Sequence, residues 1–255
     1  MVPIKNKNEI KILKEGGAKL AFIMAELEKA VKPGVSTMEI DDLAEKLIYK
    51  EKGTPSFKGY GSKEGNPFPS TICASINEEI VHGIPSDEII LKKGDIFKID
   101  IGMKYKGMHT DMARTFAVGK ISQKKKKIID VVRESFYEGV DAMQVGVKMN
   151  EYSKAVQRYV EKNGFSVVRD LVGHGIGYEL HEDPQIPNYF NKNYGNFILK
   201  PGMVFALEPM INAGTHRILI GDDEWVFVTA DKSVSAHWEN TVIITQNGVE
   251  IITDY

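Results

Sequence analysis

The chain carries a copy of part of itself. Leu91-Lys92-Lys93-Gly94-Asp95-Ile96-Phe97-Lys98-Ile99-Asp100 aligns without gaps on Leu199-Lys200-Pro201-Gly202-Met203-Val204-Phe205-Ala206-Leu207-Glu208, apolar position on apolar position, with Asp100 falling on Glu208. Upstream, His82-Gly83-Ile84 matches His174-Gly175-Ile176, and downstream Asp111 matches Glu239 at the head of Glu239-Asn240-Thr241-Val242-Ile243-Ile244. Chance explains any one match; three in the same order point to a duplication whose halves meet across a pseudo-twofold axis. The coarse element order agrees, because helix, helix, strands occurs twice. Residues 8–31 read as an amphipathic helix with Ile12, Leu20, Ile23, Leu27 and Val31 on one stripe, stopped by Lys32-Pro33-Gly34. Ser36 to Glu39 reads as a capping box opening a second helix to about Lys52. Strand-like sequence dominates from Thr71 to Gly119, and helical segments follow near 122–142 and 150–163, the latter closed by Gly164. No composition break resembles a linker. A single domain over 1–255 is expected, with halves of roughly 1–119 and 120–255.

The repeat acquires chemical meaning in the first half. Ile96 to Ala117 reads as a β-hairpin turning around Tyr105-Lys106-Gly107. With Tyr105 and Lys106 as the loop, Asp100 and Asp111 face each other directly on one side of the ribbon. Two carboxylates at such cross-strand spacing repel by about 3–4 kcal/mol at an effective dielectric near 20. An apolar strand pair holding them requires a compensating cation. The repeat adds Glu208 and Glu239, again on apolar strands. Four carboxylates balance two divalent cations, the arrangement of two-metal hydrolases. A histidine, His174 or His82, would add the nitrogen that favours transition metals over calcium or magnesium. An isolated acid in a strand is usually a solvated outward residue, but a repeat-related double pair is not readily solvated by accident. His109, His216 and His237 lack repeat partners and read as structural or surface residues; His82, His174 and His181 lie in Gly-rich loops where functional groups collect.

Composition narrows the alternatives. The 33 basic against 35 acidic side chains give a net charge of −2, so neither DNA nor a membrane surface is an expected partner. Hydrophobic residues at 42% and charged residues at 27% argue against disorder. The single cysteine, Cys73, excludes an intrachain disulfide and every C-x-x-C motif. Lys5, Lys7, Glu9 and Lys11 leave no signal-peptide core, and no apolar run approaches the ~20 residues of a membrane span, so a cytoplasmic address is expected. His181-Glu182 lacks a second histidine because position 185 is Gln185, so H-E-x-x-H is absent. The run Lys124 to Lys127 reads first as a solvated helix face and second as a transient ribosome or RNA contact.

These residues resemble the type I methionine aminopeptidases from end to end. The matching stretches are Ser75 to Pro85, Gly94 to Asp100, Gly173 to Gly177, His181-Glu182-Asp183-Pro184, Leu207-Glu208-Pro209 and Ser235 to Thr241. The resemblance implies an α+β "pita-bread" fold, two pseudo-symmetric halves with a curved antiparallel sheet covered by helices. It implies five ligands for two divalent ions (Co, Mn, Fe or Zn): Asp100, Asp111, His174, Glu208 and Glu239, with Asp111 and Glu239 bridging. It also implies substrate contacts from His82 and His181, and a methionine pocket around Cys73, Trp225, Tyr60 and Phe68. The stretch from Gly61 to Pro67 is a few residues longer than usual for the family. The expected reaction is metal-assisted hydrolysis that releases N-terminal methionine from nascent proteins and peptides with a small second residue. In it Glu208 moves the proton and His181 or His82 stabilises the oxyanion. Type II enzymes carry a helical insertion before the Glu matching Glu208; here His181 and Glu208 are only 27 positions apart, which matches type I. Xaa-Pro aminopeptidases and prolidases share the ligand set but carry a large N-terminal domain, and only 81 residues precede His82 here. They form the alternative reading, together with a non-catalytic binding protein on the same fold. A short bacterial-type form is implied by the lack of a zinc-finger extension.

Overall fold

Capping chemistry decides where the first helices begin. In the computed structural model, which describes residues 2–62 and 65–255, α1 spans Lys7–Ala30 and α2 spans Thr37–Lys50. The Ser36/Glu39 box forms as expected, and an equivalent Asn6/Glu9 box opens α1. Strand β1 (Thr54–Pro55) follows, then β2 (Ile72–Ile76), β3 (Glu79–Val81), β4 (Ile96–Tyr105) and β5 (Met108–Ala117). The second half opens with α3 (Gln123–Asp141) and α4 (Asn150–Lys162), within a residue of the sequence expectation. It continues through β6 (Ser166–Val167), β7 (Gly173–Gly175), β8 (Glu182–Ile186), β9 (Val204–Leu207) and β10 (Met210–Asn212). The last strands are β11 (Ile218–Ile220), β12 (Phe227–Thr229), β13 (Ser235–His237), β14 (Glu239–Thr245) and β15 (Gly248–Ile251). No helix among the described residues is long and apolar enough to cross a membrane.

The main antiparallel sheet runs β1-β4-β5-β14-β9-β7-β8, with β2 also on β4 and β15 on β14. Its centre is the β5–β14 contact, and the repeat-related strands β4 and β9 flank it symmetrically. Strand alternation then separates two faces. Phe97, Ile99 and Ile101 point outward into a core with Leu20, Ile23, Met24 and Leu27 of α1 and Ile40 and Ala44 of α2. Phe205, Leu207, Val242 and Ile244 do the same beneath Val132 and Phe136 of α3 and Tyr152 and Val156 of α4. Each half has its own helix pair, and the opposite face is left to the acids. Buried Arg114 fastens the seam between halves, donating to the Glu239 carbonyl at 2.6 Å and to Asn240 Oδ1 at 2.8 Å.

Two details differ from the sequence reading. The hairpin loop is Lys106-Gly107, closed by Tyr105 opposite Met108, so Asp100 faces Ala113 and Asp111 faces Gly102. The acids are diagonal neighbours on one face rather than directly opposed. Both loop residues have positive φ (48° and 87°), as a two-residue hairpin turn demands, and Gly107 meets that demand where bulky Tyr105 would not. The upstream histidine match also does not mark equivalent positions. His174 lies in β7 opposite Ala206, whose repeat partner Lys98 faces Ser75 of β2. His82 instead follows β3, which pairs with β12 in a separate sheet.

Candidate metal centre

Two rows of residues cross the inner face of the sheet. One runs Cys73, Asp100, Ala113, Glu239 across β2, β4, β5 and β14, each residue facing the next. Glu208 comes one residue past Leu207, which faces Asn240, and so returns to this row beside Glu239. The second row holds Gly102 and Asp111 on the first half and Thr241, Ala206 and His174 on the second. Thr241 joins its two parts: the Asp111 N–H donates to Thr241 Oγ1 and the Thr241 hydroxyl donates back to the Asp111 carbonyl, both at 2.8 Å. Ala113 and Ala206 are the small residues that separate the acids, whereas the room left by Gly102 is filled by Ser56 and Phe57.

Burial dominates the electrostatics. It lifts the Asp100 carboxyl to about 7, partly countered by a hydrogen bond with Asp111. Asp111, Glu208 and Glu239 stand well above the usual carboxylate range through burial first and a neighbouring carboxylate second, Asp100 for Asp111 and for Glu208, and Asp111 for Glu239. The same burial, with His181 nearby, holds the His174 imidazole at about 3, so the ring is neutral. His174 Nδ1 lies 2.9 Å from the Gly175 carbonyl, an acceptor only, so Nδ1 carries the proton and Nε2 keeps its lone pair 3.5 Å from Glu208 Oε1. Asp111, His174 and Glu239 offer ligand atoms all within 4.8 Å of one another. Asp100 Oδ1 and Glu239 Oε1 are buried with no hydrogen-bond partner among the described residues. Acceptors orphaned in this way, beside a histidine lone pair, fit a divalent cation.

Known proteins match nearly the whole length of the chain. Residues 11–246 match the model of metallopeptidase family M24. Methionine aminopeptidase 1 of Bacillus subtilis is 48% identical over 253 residues, and the methionine aminopeptidase of Clostridium acetobutylicum is 47% identical, each alignment covering 99% of both chains. The crystal structure of the methionine aminopeptidase from Thermotoga maritima superposes with a TM-score of 0.95 at 39% identity, covering both chains completely. The chain belongs to the methionine aminopeptidases of family M24. The pita-bread expectation and the α+β class hold. So does the reading as a hydrolase of the aminopeptidase kind.

In this member of the family all eleven residues singled out from the sequence line one cleft of about 510 Å³. The His181 ring lies 4.4 Å from that of His174, with Nδ1 2.7 Å from the Tyr60 hydroxyl. Burial of the ring holds His181 at about 4, although the residue as a whole is exposed at the cleft mouth. His82 adopts a left-handed backbone (φ 60°), and burial followed by the His181 charge holds it at about 4. Its ring packs edge-on to Trp225 and Phe227, while Phe68 meets Trp225 edge-on at 5.2 Å. Burial and the charges of Asp100 and Asp111 push the Cys73 thiol up, so it is a small apolar surface in the wall. Of the 61–67 stretch, Lys63 and Glu64 lie outside the described residues.

One residue at the centre escaped the sequence reading. His237 is not a surface group. It is 1% exposed, with Nε2 3.6 Å from Glu208 Oε2 and 4.0 Å from Glu239 Oε2. It does have a repeat partner: matching Asp111 with Glu239 sets His109, two residues earlier, on His237. A second clue was spacing, since a residue two positions before Glu239 in extended chain shares its face.

Proposed function

We propose that this protein removes the N-terminal methionine from peptides and nascent chains whose second residue is small. The five convergent groups Asp100, Asp111, His174, Glu208 and Glu239 hold two divalent ions drawn from Mn, Fe, Co and Zn. The observation that carries the reading is the pair of buried carboxylate oxygens on Asp100 and Glu239, without a hydrogen-bond partner among the described residues, beside a neutral His174. Divalent ions bound there supply Lewis acidity to the peptide carbonyl and acidify water. Glu208 accepts the proton of the attacking water and returns it to the leaving amine. In the tautomer with its proton on Nε2, His181 accepts from the Tyr60 hydroxyl at Nδ1 and donates from Nε2 to the developing oxyanion, and His82 holds the scissile amide. Cys73, Phe68 and Trp225 form a soft apolar wall for an unbranched thioether, and a charged first residue is rejected because nothing there compensates its desolvation. The whole of 1–255 acts as one catalytic domain built from halves of about 1–119 and 120–255, and it works in the cytoplasm. Transient contact with a ribosome would use Lys124 and Lys126, because Lys125 and Lys127 already donate to backbone carbonyls of Gly94 and Asn163.

The deciding experiment combines metal analysis with two free peptides. Metal loading should approach two ions per chain, and Met-Ala-Ser should release methionine while Ala-Pro-Ser is barely cleaved. Efficient Ala-Pro cleavage with poor Met-Ala turnover would establish the Xaa-Pro alternative. No cleavage of either by fully loaded protein would leave a binding protein on this fold.

A further inference from the structure

We propose that His237 is a positioning residue of the metal centre: its Nε2–H donates to Glu208 Oε2 and holds that carboxylate with Oε1 turned toward His174. The inference rests on the reading of Glu208 as a metal ligand. Its first support is how firmly the backbone of residue 237 is fixed. The His237 N–H donates to Thr115 Oγ1 at 2.9 Å, and the same hydroxyl donates back to the His237 carbonyl at 2.8 Å. Two residues earlier, the Ser235 N–H donates to the Asn77 carbonyl at 2.9 Å, and buried Lys98 donates from Nζ to the Ser235 carbonyl at 3.1 Å. Strand β13 is thus bonded to β5, β4 and the β2–β3 turn at once, in addition to its pairing with β10.

The ring that this scaffold presents is fully buried, and neither of its nitrogens has a hydrogen-bond partner among the described residues. A buried N–H left without an acceptor costs about 1–3 kcal/mol, so a ring held here calls for a partner. The carboxylate oxygens facing Nε2 are Glu208 Oε2 at 3.6 Å and Glu239 Oε2 at 4.0 Å. Closing the first contact to hydrogen-bond length requires a shift of about half an ångström. Glu208 lies between two rings, with Oε1 3.5 Å from His174 Nε2 and Oε2 toward His237. The two rings are not interchangeable. His174 lines the cleft, whereas His237 does not and stands behind the carboxylates. That placement suits a donor that orients a ligand and not a ligand itself. Partners of this kind are worth about 10- to 100-fold in metal affinity.

The test uses Co²⁺ as probe, added anaerobically to metal-free protein at one fixed pH, with affinity and the visible ligand-field band as readouts. H237L keeps volume and loses the donor; H237Q keeps an N–H donor of similar reach. The expected result is Co²⁺ affinity weakened about 10- to 100-fold in H237L and within about threefold of wild type in H237Q. The band of each fully loaded variant should match wild type, because the ligand set is unchanged. Wild-type affinity in H237L would overturn the proposal. So would a tenfold loss in H237Q, or an altered band in either variant, which would make His237 a direct ligand. If H237L does not melt cooperatively, unbranched H237M takes its place in the same comparison. Failure of the wild-type protein to bind Co²⁺ would defeat the metal-centre reading itself, whereas equal binding by wild type and H237L defeats only the role of His237.

Discussion

Glu208 faces His174 with one carboxylate oxygen and His237 with the other, so any role as a proton carrier competes with a role as a ligand. Substitution by Gln separates these roles in part, because the amide keeps an oxygen that can face a cation but cannot accept the proton of an attacking water. Glu208→Gln is expected to lower kcat at least about 10²-fold. Weaker metal binding alone could mimic part of that loss, so occupancy is measured in the same sample by elemental analysis. Near-normal turnover at full occupancy would remove Glu208 from the proton path. Of the eleven residues named from the sequence, those that came from the repeat rest on strand register, which a gapless alignment preserves. His237 was legible by the same route, because the match of Asp111 with Glu239 sets His109, at the start of β5, on His237 of β13.

Helix α1 shows what the elements require of single positions. Gly16 and Gly17 are adjacent and buried, and their surroundings differ. A Cβ on Gly17 would run into the backbone carbonyl of Ile252, which cannot rotate away, whereas on Gly16 the nearest atom is the Tyr105 Cβ at 3.3 Å. Alanine gains about 1 kcal/mol of helix propensity over glycine at either site. Displacing α1 from the C-terminal segment costs about 1–3 kcal/mol and prevails at residue 17. Gly17→Ala should therefore lower stability in urea unfolding while Gly16→Ala stays near neutral, and equal midpoints for the two would contradict this packing. The four long helices were legible from apolar spacing and capping residues, whose physics is local. The hairpin register was not legible, since it turns on which residue accepts positive φ, and choosing Tyr105-Lys106 over Lys106-Gly107 moved Asp111 from diagonal to opposed. The main sheet's second half was legible only as strand-rich sequence. Strands β7 and β9, of three and four residues, take their places from partners distant in the chain.

For the whole molecule, the buried titratable groups oppose one another in acid. Burial holds His82, His109 and His181 at about 4 and His174 and His237 at about 3, against an ordinary value of 6.5. A depressed folded value means that the stability tied to the neutral rings is complete above pH ~6.5 and is lost as pH falls toward 4. The four carboxylates behave oppositely. Raised by burial, with Asp100 at about 7, they favour the metal-free fold below pH ~4 and disfavour it as pH rises through their folded values. Between pH ~4 and 6.5, unfolding metal-free protein takes up as many as five protons at histidines and releases up to four at carboxylates, so the two trends largely cancel and its stability should change little across that window. Bound divalent cations keep the carboxylates ionised in the folded protein, which removes the offset and exposes the histidine slope of about 1.4 kcal/mol per pH unit per proton. The expected outcome in calorimetric melts from pH 4.5 to 8 is a Tm that falls steeply in acid for loaded protein and stays nearly level below pH 6.5 for metal-free protein. Above that window the histidines no longer offset the carboxylates. The loss of about 1 kcal/mol from Asp100 between pH 6 and 8 is opposed by buried Lys98, also held at about 7, so the decline of metal-free protein comes from Asp111, Glu208 and Glu239. Parallel pH profiles with and without metal would show that these carboxylates do not retain their protons in the metal-free fold.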